Sequence, residues 1–243
     1  MASTDAPTEP MASWQALCMD AADAARLGGF WAAALGLARE DFEDSSLRLT
    51  GDDARRQIWV DPVPEPRTVK NRVHLDLDVG DLDGLIDLGA TILREPGDDR
   101  TWWVMADAEG GEFCAFVREN RPSLPGRLYE VVVDCAEPHR QAEWWGEVFG
   151  LAAEHEPAKQ LSALAGADVL PFDYLCFGAV PEPKRAKNRI HWDVETDDVQ
   201  RLVTHGATVL RVPDDEVSWH VLADPEGNEF CAFTAKGSAE PSG

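Results

Sequence analysis

The sequence predicts an α+β fold of four modules, each running strand, helix and three strands, and three observations carry that prediction. First, the chain is written twice. NRVHLDL at 71–77 returns as NRIHWDV at 188–194, GATILR at 89–94 as GATVLR at 206–211, and ADAEGGEFCAF at 106–116 as ADPEGNEFCAF at 223–233. All three pairs stand 117 positions apart, so the repeat is a whole small domain and not a solenoid unit of about 20–50 residues. Second, each copy divides again into two halves with the same order of strand-like and helix-like segments. Third, a stretch rich in turn residues, ENRPSLPGR at 119–127, separates the copies. The expected organisation is two domains at 13–118 and 128–235, with disordered tails at 1–12 and 236–243.

The elements follow in order. WQALCM at 14–19 and LYEVVV at 128–133 read as buried strands. They lead into amphipathic helices carrying Phe30, Trp31 and Leu35 in one copy and Trp144, Trp145 and Val148 in the other. Asp20, Arg26, Trp31, Gly36 and Leu37 match Asp134, Arg140, Trp145, Gly150 and Leu151 at a spacing of 114, so the second copy gains three residues before its PEP turn. Shorter strands are expected around 45–60 and 161–178, and PEP at 64–66 and 181–183 breaks the chain. The second half of each copy opens on VHLDLDV or IHWDVET, where apolar and polar residues alternate at period two. A short helix (81–88; 198–205) and the GATILR or GATVLR strand come next. A tryptophan-bearing strand (102–105; 219–222) then meets EFCAFV or EFCAFT through a turn, DAEGG or DPEGN, whose Gly and Asn accept positive φ.

Composition excludes several classes of function. A formal net charge of −23 makes nucleic acid and anionic lipid poor partners, because both need basic patches. The same field favours a cationic small molecule. No segment approaches the roughly 18–20 apolar residues of a membrane span, and MASTDAPTEPMAS lacks the basic start and apolar block of a signal peptide. The expected location is cytoplasmic. Five cysteines at 18, 114, 135, 176 and 231 show no CxxC spacing, and the odd count argues for reduced thiols.

Paired modules of this kind, a helix ending FWAAALGL or WWGEVFGL, an HxDV-type strand and a terminal DPEGNEF strand resemble the glyoxalase/bleomycin-resistance/dioxygenase superfamily, also called vicinal oxygen chelate. The resemblance covers nearly the whole chain, once per copy, and is nearest to the tandem actinobacterial glyoxalase-like domain proteins. It implies two glyoxalase-like domains, each a pair of βαβββ modules forming a curved mixed sheet around a cleft. It also implies an intrachain pseudo-dimer, in which fusion replaces a homodimer. Enzymes of the superfamily hold a divalent metal with residues on the first and last strands of modules. Carried over, those positions are Ala16, His74 and Cys114 in the first copy and Glu130, His191 and Cys231 in the second. Ala16 offers no ligand atom, and a catalytic metal wants about three protein ligands. No metal is therefore expected; the alternative is Zn²⁺ or Fe²⁺ on Glu130, His191 and Cys231.

Individual residues carry two readings each. His74 and His191 are candidate general bases or ligand contacts, but core histidines bonded to a neighbouring strand look the same in sequence. Asn71, Arg72, Asn188 and Arg189 either anchor a polar substrate or tie down the PEP loop. Cys114 and Cys231 are expected to be inward-facing small apolar residues rather than reactive thiols, since an acidic chain supplies no cation to depress their pKa. Trp59, Trp102, Trp103, Trp192 and Trp219 lie on strands, where alternate residues face the cleft and can stack on a flat or cationic ligand. Trp103 is replaced by His220 in the second copy and Leu75 by Trp192, so the clefts differ chemically.

The sequence thus points to a metal-independent small-molecule-binding protein of the drug-sequestering type. Its ligand, cationic or aromatic, would be contacted by Trp59, Trp103, His74, Trp192, His191, Trp219, Cys114 and Cys231. The alternative is a lyase, isomerase or dioxygenase acting in the second copy, with His191, His220 and His74 as candidate catalytic groups and His220 as proton carrier.

Overall fold

A computed structural model describes residues 9–98, 100–166 and 168–234. The tail expected at 236–243 and the first eight residues of the one expected at 1–12 lie outside them. In chain order the elements are β1 (Ser13–Ala21), α1 (Ala24–Leu35), β2 (Ala38–Asp41), β3 (Leu47–Thr50), β4 (Gln57–Pro62), β5 (Val73–Val79), α2 (Asp83–Asp87), β6 (Thr91–Arg94), β7 (Trp103–Ala106) and β8 (Glu112–Val117). The second copy supplies β9 (Arg127–Cys135), α3 (Pro138–Phe149), β10 (Ala153–Glu156), β11 (Leu161–Ala165), β12 (Tyr174–Ala179), β13 (Ile190–Thr196), α4 (Val199–Thr204), β14 (Thr208–Arg211), β15 (His220–Ala223) and β16 (Glu229–Thr234). Met11 and Ala12 are already anchored, both donating to the Val148 carbonyl.

Two eight-stranded sheets result, and each draws on both copies. The first sheet runs β14-β15-β16-β13-β1-β4-β3-β2; the second runs β10-β11-β12-β9-β5-β8-β7-β6. Thus the first module pairs with the fourth through antiparallel β1 and β13, and the third with the second through antiparallel β9 and β5. The α+β class and the paired modules are those the sequence predicts. The modules that share a sheet, however, come from different copies.

Period-two alternation explains the layering. In β5, Val73, Leu75, Leu77 and Val79 are almost wholly buried on one face, which leaves His74, Asp76 and Asp78 on the other. Helices α1 and α3 cover the apolar faces and bind the two halves of each copy together. Trp31 of α1 meets Phe113 of β8 edge-on at 5.4 Å, and Trp145 of α3 meets Phe230 of β16 at 5.0 Å. The buried apolar residues form one continuous core through both sheets.

The repeated turn before the last strand is a structural device. The Asp107 carboxylate accepts from the Glu109 and Gly111 amides, and Asp224 does the same for Glu226 and Asn228. The glutamate side chains then reach the start of the long helices. Glu109 accepts from the Ala22 and Asp23 amides, and Glu226 from those of Ala136 and Glu137. A carboxylate at these free N–H groups satisfies donors that the helix itself cannot. Gly36 and Gly150 close the helices at φ of 64° and 69°, a conformation that favours glycine.

Candidate functional site

The hollow of each curved sheet is the face turned away from the helices, and register decides what lines it. In the second sheet Asp76 stands opposite Glu130 and His74 opposite Val132, while Asp76 neighbours Cys114 and Val132 neighbours Cys176. The polar floor is therefore His74, Asp76, Cys114, Glu130 and Cys176. In the first sheet His191 stands opposite Cys18 and Asp193 opposite Ala16, with Cys231 beside Asp193 and Trp59 beside Cys18.

This arrangement corrects the alternative metal set of Glu130, His191 and Cys231. Glu130 belongs to the second sheet, whereas His191 and Cys231 belong to the first. The residues that Glu130 joins are His74 and Cys114, from the other copy. Among the described residues, potential ligand atoms within 4.8 Å of one another group as His74–Asp76–Cys114 in one hollow, Cys18–His191–Asp193 in the other, and His139–Glu143–His155 on the exposed surface.

Two expected ligand contacts and one candidate catalytic group also lie on the wrong face. Trp192 is buried on the helix side, between Trp14 (6.0 Å) and Trp145 (4.8 Å). Trp103 is paired with Ala115 and packs against the core, and His220 is paired with Ala232, so both share the helix-side face. His220 is thereby removed from His191 and from a proton-carrying role. Trp59 and Trp219 do belong to the first hollow: Trp59 lies 5.4 Å from Phe42 with Arg48 over its ring, and Trp219 stacks on Phe233 at 5.2 Å. Cys114 and Cys231 are buried, as expected of inward-facing small residues.

The sequence reading passed over Asp76, Asp193, Cys18, Cys176, Tyr129 and Tyr174. Their signal was present in the alternation, since Asp76 and Asp193 stand two residues after His74 and His191 and must share their face.

Aromatic side chains line the second hollow. Trp102 stacks on Phe116 at 5.6 Å, Phe116 meets Tyr129 at 5.7 Å, and Tyr129 meets Tyr174 at 5.9 Å. Tyr129 reaches this row because the register shifts between Asp76 and Leu77, leaving it as the extra residue of a bulge. Arg118 lies over Phe116 and Tyr129 and Arg127 over Tyr129, and both bind Asp78.

Burial governs the electrostatics. It pushes the Asp76 carboxyl up to about 8, with the Glu130 charge adding to the effect. Among the described residues no Lys or Arg pairs with Asp76. Its Oδ1 lies 3.5 Å from His74 Nε2 and has no hydrogen-bond partner. Burial also raises Glu130, and raises the Cys114 and Cys176 thiols with help from Asp76 and Glu130 respectively. It lowers His74 to about 4, so the imidazole is neutral at pH 7. In the first hollow burial lowers His191 to about 4 and raises Asp193 only to about 6, because the Cys18 and Cys231 thiols donate to it.

The superfamily's divalent metal can be tested against these residues. His74, Asp76 and Cys114 offer nitrogen, oxygen and sulfur donors of the kind zinc takes, and the unpartnered Asp76 Oδ1 suits a cation. The surrounding support is weaker. A metal-bound imidazole usually donates its second N–H, yet His74 Nδ1 is buried with no partner.

The motif residues before each histidine tie down the PEP loops, and do so across copies. Arg72 donates to the Glu182 carbonyl and Arg189 to the Glu65 carbonyl, both at 2.8 Å. Among the described residues no helix is long and apolar enough to cross a membrane.

Known proteins share this architecture. A sequence profile described as a glyoxalase-like domain matches residues 16–116 and again 130–233. Glyoxalase I from Zea mays superposes with a TM-score of 0.64 at 14% identity, over 91% of this chain and 92% of that one. A putative dioxygenase from Bacillus subtilis gives 0.65 at 12% identity, over 97% and 87%. No curated protein matches the sequence. At such identities the likeness shows the fold alone.

Proposed function

The chain belongs to the glyoxalase-like domain family, and from that premise we propose that it binds a flat aromatic cation in the hollow of the second sheet. One observation carries the reading. Asp76 and Glu130 face each other beneath the row Trp102, Phe116, Tyr129 and Tyr174, and burial holds both carboxyls above their usual range, with neither paired to a Lys or Arg among the described residues. A ligand bearing positive charge would let them ionise while its rings stack on the aromatic wall, the combination that suits a small-molecule site. This is the chemistry of drug sequestration: capture without turnover. The net charge of −23 adds long-range attraction.

The test is a tryptophan-fluorescence titration with ethidium as probe. Saturable quenching at one site per chain is expected, weakened about tenfold or more when Asp76→Asn and Glu130→Gln are combined, the scale of one lost buried charge interaction. Absence of saturable quenching, or quenching indifferent to the double variant, sinks the proposal.

A second reading rests on the His74–Asp76–Cys114 donor set. A divalent cation held by those three would supply Lewis-acid chemistry to a bound carbonyl or phenol. The protein's part would be a neutral imidazole, a carboxylate freed of its proton and a water-poor, ring-lined hollow. Titration with Co²⁺ distinguishes this reading, because ligation by Cys114 produces thiolate-to-metal absorption that Cys114→Ser abolishes.

A further inference from the structure

We propose that the two PEP loops enclose a second, separate site, which binds an oligophosphate. The segments 65–72 and 180–189 line a chamber of about 1000 Å³ together with Asp20 and Asp134. Its lining reverses the character of the molecule. Arg67, Lys70 and Arg72 enter from one loop, and Lys184, Arg185, Lys187 and Arg189 from the other. These are seven of the chain's 22 basic side chains, against four acidic ones in the same lining, in a protein whose net charge is −23.

The chamber has approximate twofold symmetry. Arg72 bonds the Glu182 carbonyl as Arg189 bonds that of Glu65, and Lys70 pairs with Asp134 as Lys187 pairs with Asp20, at 2.7 Å in both cases. Arg67 and Lys184 pair with Glu112 and Glu229, while the contacts of the other cations do not exhaust them. The Nε of Arg72 is buried with no hydrogen-bond partner, and Arg185 is exposed with none among the described residues. Lys70 and Lys187 remain more than half exposed. The exposed Arg185 guanidinium presents a planar fork of N–H donors, for which an oxyanion is the natural acceptor. Opposed basic groups around one axis suit a ligand with several linked negative groups. The volume admits a phosphate chain with or without a nucleoside, within the range of small-ligand sites.

Isothermal titration with tripolyphosphate and with ATP, neither carrying Mg²⁺, tests the assignment. One saturable site per chain is expected. Arg185→Glu, a change at an exposed position that should leave the circular dichroism spectrum unchanged, should weaken it about tenfold. The double variant Lys70→Gln/Lys187→Gln should weaken it further. Equal affinity for the two probes would identify the phosphate chain as the recognised group, and a preference for ATP would identify a nucleotide; both support the site. No saturable heat at millimolar probe, or binding unchanged in Arg185→Glu and the double variant alike, would overturn it. Ethidium binding in the second hollow should be unaffected by Arg185→Glu, which separates this site from the one proposed above.

Discussion

The two hollows are built from equivalent strands, yet they hold different chemistry. Where the second sheet has Tyr129, Glu130 and Tyr174, the first has Gln15, Ala16 and Gln57. The aromatic row of the second sheet therefore stops in the first at Trp219 and Phe233, and the opposed pair of carboxyls becomes a single Asp193 facing a methyl group. In exchange the first hollow gains Cys18 beside His191, and gains Trp59 tilted against Phe42 beneath Arg48. The histidine and the cysteine at the module ends are kept in both. What differs is one face of two neighbouring strands, β1 and β4 in the first sheet against β9 and β12 in the second, and the residue opposite the central aspartate decides which hollow can hold a cation. The comparison teaches that duplication preserved the frame and let that face diverge.

The largest effect should come from making the hollows alike. Ala16 is fully buried, so Ala16→Glu places a carboxyl beside Asp193 with no cation to receive it. Such a change should cost about 2–4 kcal/mol, read as a lower midpoint in urea. Stability equal to wild type would show that the first hollow already has room for a second acid.

A pH series sharpens the contrast. The Asp76 carboxyl titrates near 8 when folded and near 3.8 when unfolded, so between those values only the folded state holds the proton. Stability should therefore decline as pH rises from about 4 towards about 8. Asp76→Asn removes that slope, and its stability relative to wild type should improve by a few kcal/mol between pH 5 and pH 8. Asp193→Asn should do the same more weakly and finish near pH 6, where Asp193 itself titrates. His74 and His191 work in the opposite sense, staying neutral when folded down to about 4, so their contribution is lost as pH falls from 6.5 towards 4. Identical pH profiles for the two asparagine variants would erase the distinction between the hollows.

The smallest expected effect is chemical. Cys114 and Cys231 are buried with thiols pushed up, so neither should react with Ellman's reagent in the native state over minutes, while all five cysteines react in denaturant. Rapid labelling of one and not the other would show that the two thiols are unequally shielded.

Much of the fold was legible in the sequence because its signals are local. Alternation in VHLDLDV and IHWDVET marks the central strands, Gly36 and Gly150 end the long helices, and the DAEGG and DPEGN turns follow from their glycines. The exchange of partners was not legible. β1 pairs with β13 across more than 150 residues, and the central strands of the two copies are so alike that their pattern fits either partner. Grouping Glu130 with His191 and Cys231 followed from assuming that each copy closes on itself. The face of Trp192 is a different matter. It follows His191 directly, so the period-two rule already places it opposite the hollow. The positions of Trp103 and His220 depended on the register with β8 and β16, which no local pattern fixes.

The central claim is that the second hollow, assembled from both copies, is the binding site for a cation because Glu130 there faces Asp76. Its most direct test is one ethidium titration run on Glu130→Gln and Asp193→Asn side by side. The account predicts that Glu130→Gln weakens binding about tenfold while Asp193→Asn changes it less than about twofold. Binding lost in Asp193→Asn and retained in Glu130→Gln would contradict it and move the site to the first sheet.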